Sequence, residues 1–233
     1  MIDITSKIPT IEFPSIKQYT INNVNEKILS LTEAGFLCES QYYLQGLPGA
    51  YKDCYARESV IKHLKKAEQS LPVGYRFKIY DAYRQISVQQ SLWDKYRKQV
   101  IENTGLTDEL EIDKRTAFFV SKPSLDVCNP SLHNTGGSID LTIIGPDGKE
   151  LDMGTLFDDF SNKAWTNHFE EYTKNETVRN NRRLLYWTMI NAGFTNLPSE
   201  WWHYDYGTKF WAYFKNTDAL YQGKLTLEGV NAP

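Results

Sequence analysis

The stretch Pro130–Ile143, PSLHNTGGSIDLTI, constrains this chain more than any other. It sets a carboxylate, Asp140, inside an otherwise apolar run. On a pleated strand Ile139, Leu141 and Ile143 turn to one face, while Ser138, Asp140 and Thr142 turn to the other. Asp140 then projects from a sheet face instead of entering the core. Gly136 and Gly137 allow a sharp turn ahead of the strand, so that His133 can fold back towards Asp140. The sheet is expected to carry a core on one side and a polar cleft on the other.

The flanking segments supply the rest of such a fold. SVIKHLKKAEQSL places Val60, Leu64, Ala67 and Leu71 at helical spacing. In GYRFKIYDAYR, Phe77 and Ile79 alternate with Arg76, Lys78 and Tyr80, which predicts a strand with Arg84 just past its end. Val88, Leu92, Tyr96 and Val100 mark one face of a second helix. Pro146-Asp147-Gly148 predicts a turn into a further strand. TVRNNRRLLYWTMINAGF predicts a helix, with Thr177 as N-cap and Gly193 as C-cap. SEWWHYDYG alternates like a strand. Helices and strands mix without a regular βαβ beat, which predicts an α+β fold with a central antiparallel sheet flanked by helices. The 233 residues suit a single domain, 1–233, with an irregular segment 1–50 packed on it.

An imidazole and a carboxylate converging on one cleft are two ligands of a zinc site, and a third is needed. The chain has four histidines. His63 lies among lysines and reads as solvated; His168 has no partner pattern. His203 lies in a strand, three residues after Glu200. A His/Asp/His set leaves one position for water, and a nearby glutamate can take that water's proton. Glu200 and His203 converge only if Glu200 sits on the turn before the strand or across a bulge. By spacing alone most such His/Asp pairs are coincidence. Asp140 suits a turn cap or an arginine's partner, and His203 among aromatics is by default a hydrogen-bonded core histidine. Cys128, five residues before His133, reads as a buried inert thiol before a ligand.

The combination resembles the zinc D,D-peptidases of peptidoglycan metabolism. SLHNTGGSID has the form S-x-H-x-x-G-x-x-x-D and EWWH the form E-x-W-H. YDAYR, MGTLFDDF and NRRLLYWTMINAGF extend the similarity, over roughly residues 55–215, to the VanX-type D-alanyl-D-alanine dipeptidases. The resemblance implies one Zn²⁺ per chain held by His133, Asp140 and His203. It implies Glu200 as general base and proton donor, and Arg84 as the oxyanion's partner. Asp158, helped by Ser131, would hold the substrate ammonium. The implied reaction is hydrolysis of D-Ala-D-Ala to two D-alanines, in precursor turnover or in glycopeptide resistance. A zinc D,D-carboxypeptidase or peptidoglycan endopeptidase is the alternative enzyme. A non-catalytic zinc-stabilised binding domain is the alternative outside enzymes.

Three features depart from the family pattern. Gln85 stands where proline is usual, and Asn134 and Thr135 follow His133. Asp158 is followed by Asp159, so either could face the amine. The remaining expectations concern partners and place. A net charge of -3 offers no basic field for nucleic acid or anionic membrane. No apolar run approaches the roughly 18 residues of a membrane span. Cys38, Cys54 and Cys128 are odd in number and lack CxxC spacing, and the first twenty residues lack the pattern of a secretory signal. A cytoplasmic enzyme acting on a small dipeptide is the expectation.

Overall fold

The computed structural model describes residues 2–12, 19–171, 175–227 and 230. In chain order the strands are β1 (Ile28–Ser30), β2 (Leu37–Cys38), β3 (Tyr55–Arg57), β4 (Arg76–Asp81), β5 (Ser138–Ile144), β6 (Thr195–Asn196) and β7 (His203–Asp205). The helices are α1 (Gln41–Leu44), α2 (Glu58–Ser70), α3 (Ile86–Thr104), α4 (Glu109–Phe119), α5 (Glu176–Asn191) and α6 (Lys209–Lys215). Five strands form one sheet in the order β2-β4-β5-β7-β6, and β1 pairs with β3 apart from it. The pairings of β4, β5, β7 and β6 are antiparallel, as the lack of a regular βαβ beat predicted. Only the two-residue edge strand β2 runs parallel to its neighbour.

One face of the sheet forms the core. Phe77, Ile79, Ile139, Leu141 and Ile143 have no accessible surface, and they pack with Val60 and Leu64 of α2 and Leu185 and Met189 of α5. Burying each such side chain stabilises the fold by roughly 1.5–3 kcal/mol. Lys78 and Tyr80, which alternate with those core residues, are buried as well. Lys78 Nζ lies 2.7 Å from both Glu39 and Glu150, and the Tyr80 hydroxyl donates to Glu150 at 2.6 Å. Charge pairing therefore lets loops cover a face that would otherwise need water.

The second core, with Tyr42, Val88, Leu92, Tyr96 and Val120, joins α1 and α3 on the polar side of the sheet. Helix α4 has no counterpart in the sequence reading. Its N-cap, Asp108, accepts the Glu111 N–H at 2.9 Å, but only Ile112 and Thr116 of its residues are buried. With so narrow an apolar stripe it carries almost no helical periodicity. At α5, Asn175 and not Thr177 precedes the first turn, and Ala192 ends the last, with Gly193 next at φ +101°. After the Pro146 turn the chain makes a single bridge, Ile144 to Glu150, in place of a full strand. His63 is not free in water: its Nδ1 meets the Ala192 carbonyl at 2.7 Å, and its ring lies 4.2 Å from that of Tyr206.

Residues near the N-terminus pack on this body. Arg183 donates to the carbonyls of Ile4 and Thr5 and is paired with the Glu170 carboxylate, which also accepts from the Ile8 N–H.

Candidate metal centre and active site

Strand register builds the site. Asp140 of β5 is cross-strand partner to Asp81 of β4 on one side and to His203 of β7 on the other. Strict alternation would leave Asp81 on the same face as Ile79. The β4–β5 register shifts between Ile79 and Asp81, and this bulge turns Asp81 to the face of Asp140. Arg84 follows three residues on.

His133 reaches the same point from a 3₁₀ turn, His133–Thr135, just ahead of β5. The two glycines have separate duties. Gly136 takes φ +72°, a left-handed conformation that L side chains rarely adopt. A Cβ on Gly137 would stand 2.6 Å from the Tyr206 carbonyl oxygen, so a side chain there would push β5 away from the chain that follows β7.

The three candidate ligand side chains form a triangle in which Asp140 turns a different oxygen to each ring. His133 Nε2 lies 3.1 Å from His203 Nδ1 and 3.3 Å from Asp140 Oδ2, and His203 Nδ1 lies 3.0 Å from Asp140 Oδ1. A tetrahedral ion with bonds of about 2.0–2.1 Å has edges of about 3.3–3.4 Å. The His133–His203 edge and the reach of one Asp140 oxygen to each ring are near that size, so the three side chains fit a zinc ion once a single Asp140 oxygen turns towards both rings. Among the described residues this group is a set of three, with no fourth side chain. All three residues are buried.

The other ring nitrogen of each histidine is held. His133 Nδ1 is 2.7 Å from the Ala82 carbonyl, which can only accept, so the proton sits on Nδ1 and Nε2 faces the triangle. Asp81 lies 3.2 Å from the same nitrogen. His203 Nε2 meets Asp205 at 2.9 Å, and Asp205 in turn accepts from the Ser138 hydroxyl at 2.7 Å. Burial opposes charge on His203, but Asp205 and Asp140 outweigh it and push its pKa well above the ordinary value. Burial would raise the Asp140 carboxyl too, yet the His133 and His203 rings hold it well below the usual range.

Carboxylates behind ligating histidines typically govern metal affinity by 10–100-fold. Asp205→Asn keeps the shape and removes the charge, so it is expected to weaken metal binding by about 10–100-fold. Competition titration against a chromophoric chelator measures this; an unchanged affinity would show that Asp205 merely fills space.

Glu200 lies on the turn before β7. The His203 N–H donates to its carbonyl at 3.3 Å, and its Oε2 stands 3.9 Å from His203 Nδ1. It borders the triangle without joining it. Burial, with Asp140 and Asp158 adding to it, pushes its carboxyl up to about 8, against the pull of His203 and Arg84. Arg84 is fixed from three sides: Nε donates to Asp81 at 2.9 Å, one terminal nitrogen to Gln89 at 3.0 Å, and the other to the Tyr42 hydroxyl at 3.3 Å. That last nitrogen is 3.6 Å from Asp140. The departures from the family pattern do not loosen it. Gln85 has φ -64°, the angle a proline ring would impose. Asn134 donates to the Arg84 carbonyl at 3.2 Å and to the Lys224 carbonyl at 2.7 Å.

Asp158 faces the cavity, and Tyr42 donates to it at 3.3 Å. Its φ of +59° is uncommon outside glycine, although aspartate tolerates it better than most. Burial first, with Asp140 and Asp81 adding to it, pushes its carboxyl up to about 7, while Arg84 and Tyr42 oppose the rise. Asp159 turns elsewhere and accepts from the Ser161 N–H at 2.8 Å. Arg182 fastens the whole loop, donating to the carbonyls of Met153, Lys163 and Trp165. The cavity bounded by these groups measures about 70 Å³ and is lined by Leu132 and His133 but not by Ser131. Ser131 is buried beside it.

Four neighbours of the triangle escaped the sequence reading. Asp81 and Asp205 were readable in principle, one from the YDAYR segment and one from its i+2 spacing to His203. Tyr42 and Gln89 arrive from elements with no signal pointing to the site.

The Synechocystis D-alanyl-D-alanine dipeptidase is 28% identical over 178 residues, 69% of this chain and 72% of that protein. The Escherichia coli enzyme of the same name is 30% identical over 132 residues, 57% of this chain and 55% of its own length. The Enterococcus faecalis one is 37% identical over 123 residues, 48% and 59% respectively. The profile of one family, described as D-Ala-D-Ala dipeptidase, matches residues 43–221, a span that takes in the triangle, Glu200, Arg84 and Asp158. The chain belongs to the Peptidase M15 family.

Proposed function

We propose that the chain is a zinc dipeptidase that hydrolyses D-alanyl-D-alanine to two D-alanines. The observation that carries this reading is the three-membered ligand group with Glu200 beside it and Arg84 and Asp158 on the same cavity. A structural site would be closed by a fourth protein ligand, and among the described residues none joins the group.

When bound, the ion lowers the pKa of a water and polarises the carbonyl to be attacked. Glu200 takes the proton of the attacking water and passes it to the leaving amine. A carboxyl lifted towards 8 holds that proton firmly enough to carry it, and the positive charge of the ion favours the ionised form at the start. Arg84, already immobile, meets the negative charge that develops on the carbonyl oxygen. Asp158 anchors the substrate ammonium. Ser131, outside the cavity lining, has no part in this reading.

The whole chain acts as one catalytic domain, with the N-terminal segment tied to it through Arg183 and Glu170. Three free thiols suit a reducing compartment such as the cytoplasm. No helix among the described residues is long and apolar enough to cross a membrane. The physiological setting is turnover of the peptidoglycan precursor, by recycling or by removal of D-Ala-D-Ala under glycopeptide challenge.

The test is incubation with D-Ala-D-Ala, L-Ala-L-Ala and a pentapeptide ending in D-Ala-D-Ala, with and without chelator. Release of D-alanine from the D,D-dipeptide alone, abolished by chelator, is expected; equal cleavage of the pentapeptide would make the enzyme a carboxypeptidase. The Asp158 carboxyl adds a pH prediction. Its pKa is raised to about 7, so it is neutral and cannot hold an ammonium below that pH. KM for D-Ala-D-Ala is expected to rise about tenfold per pH unit below 7, and Asp158→Asn to raise KM and flatten that limb. An acid limb that survives the substitution would remove Asp158 from the ammonium site.

A further inference from the structure

A second and much larger space lies directly behind the catalytic cavity. It is an open groove of about 890 Å³ between α3 and α4, lined by Lys95, Gln99 and Phe118 among others. Tyr96, Phe119, Asp158 and Phe160 border both spaces. These four residues are therefore a partition. Phe160 is its keystone: its ring meets Tyr96 edge-on at 4.6 Å and Phe119 at 5.7 Å, and lies 6.4 Å from Trp202, the neighbour of the ligand His203. Edge-to-face contacts of this kind add about 0.5–1.5 kcal/mol each beyond burial, so the ring is held in place.

The position of the wall matters because Asp158 is part of it. If Asp158 holds the substrate's ammonium, the amino end of a bound dipeptide points at the partition. Any further residue joined to that nitrogen would have to pass where Phe160 stands. We propose that Phe160 is the residue that restricts the substrate to two amino acids, and that the groove behind it is a blocked continuation of the cleft, shaped for a peptide extended on its amino side. This inference rests on the dipeptidase reading above. With the ring removed the two spaces join. The amide N–H of a longer peptide can then still donate to Asp158, although without the ammonium's charge.

The readout is the ratio of kcat/KM for L-Lys-D-Ala-D-Ala to that for D-Ala-D-Ala, measured as D-alanine release by the zinc-loaded full chain. In the natural protein the ratio is expected to be small. Phe160→Ala is expected to raise it at least tenfold, and Phe160→Leu, which keeps more of the packing, to raise it less. If Phe160→Ala fails to fold, the Leu variant and Phe119→Leu read the same ratio. An unchanged ratio in variants that still cleave D-Ala-D-Ala overturns the proposal, as does efficient cleavage of the tripeptide by the natural protein. Failure of the natural protein to cleave D-Ala-D-Ala at all is a different result. It removes the dipeptidase reading, and the inference with it.

Discussion

Glu200→Ala is expected to lower kcat for D-Ala-D-Ala by about 10²–10⁴-fold, the usual worth of a positioned proton-transfer group, and to leave one zinc per chain. The reason is positional. Glu200 Oε2 stands 3.9 Å from His203 Nδ1, close enough to serve a reaction at the ion, yet it lies outside the ligand triangle. That loss corresponds to about 3–5 kcal/mol of transition-state stabilisation. Stability is expected to hold or improve, because the substitution removes a carboxyl that burial already disfavours as an ion. Glu200→Gln, which keeps the shape, is expected to lose as much activity. Metal content by atomic spectroscopy and single-turnover kinetics check both statements. Loss of zinc together with activity would make Glu200 a ligand and overturn its role as base.

His133→Ala is expected to have the opposite signature: no bound zinc and no measurable turnover at any metal concentration that the protein tolerates. Its ring offers one of the three atoms that could hold the ion, and two protein ligands do not hold a catalytic ion. The fold should suffer as well. Without the ring, Asp81 and Asp140 lose a shared partner in a buried place, with Arg84 left to serve both. Stranding one member of a buried charged set costs roughly 3–5 kcal/mol. Chemical denaturation of the metal-free forms of both proteins isolates that cost from any contribution of zinc. A His133→Ala protein that still bound zinc at one per chain would place the metal elsewhere.

The sequence made the centre of this site legible because period-two alternation is a strong signal. SIDLTI assigns a core face and a polar face to β5, and WWHYD does the same for β7, so Asp140 and His203 could be expected on one surface. The turn placing Glu200 beside His203 was one of two geometries consistent with the spacing, and it is the one found. The fixing of Arg84 was not legible. It depends on the bulge after Ile79, which has no residue signature, and on Tyr42, which comes from a segment read only as irregular. Helix α4 stayed hidden because its buried stripe is two residues wide. The burial of Lys78 and Tyr80 was not legible either, because alternation cannot announce that Glu39 and Glu150 will be brought over them. Local periodicity reports which face a strand offers. It does not report what distant chain segments lay upon that face.

The pairing of Asp140 with His203 ties together positions 63 residues apart in the chain. An ion gripping both of them, and His133 too, acts as a removable cross-link across the central strands. The segment between, which carries Asp158 and α5, becomes a loop fastened at its two ends. Free energy gained by filling the centre is then free energy of cohesion for that whole segment, available only to the folded chain. Metal supply would thereby set how long the protein persists as well as how fast it works.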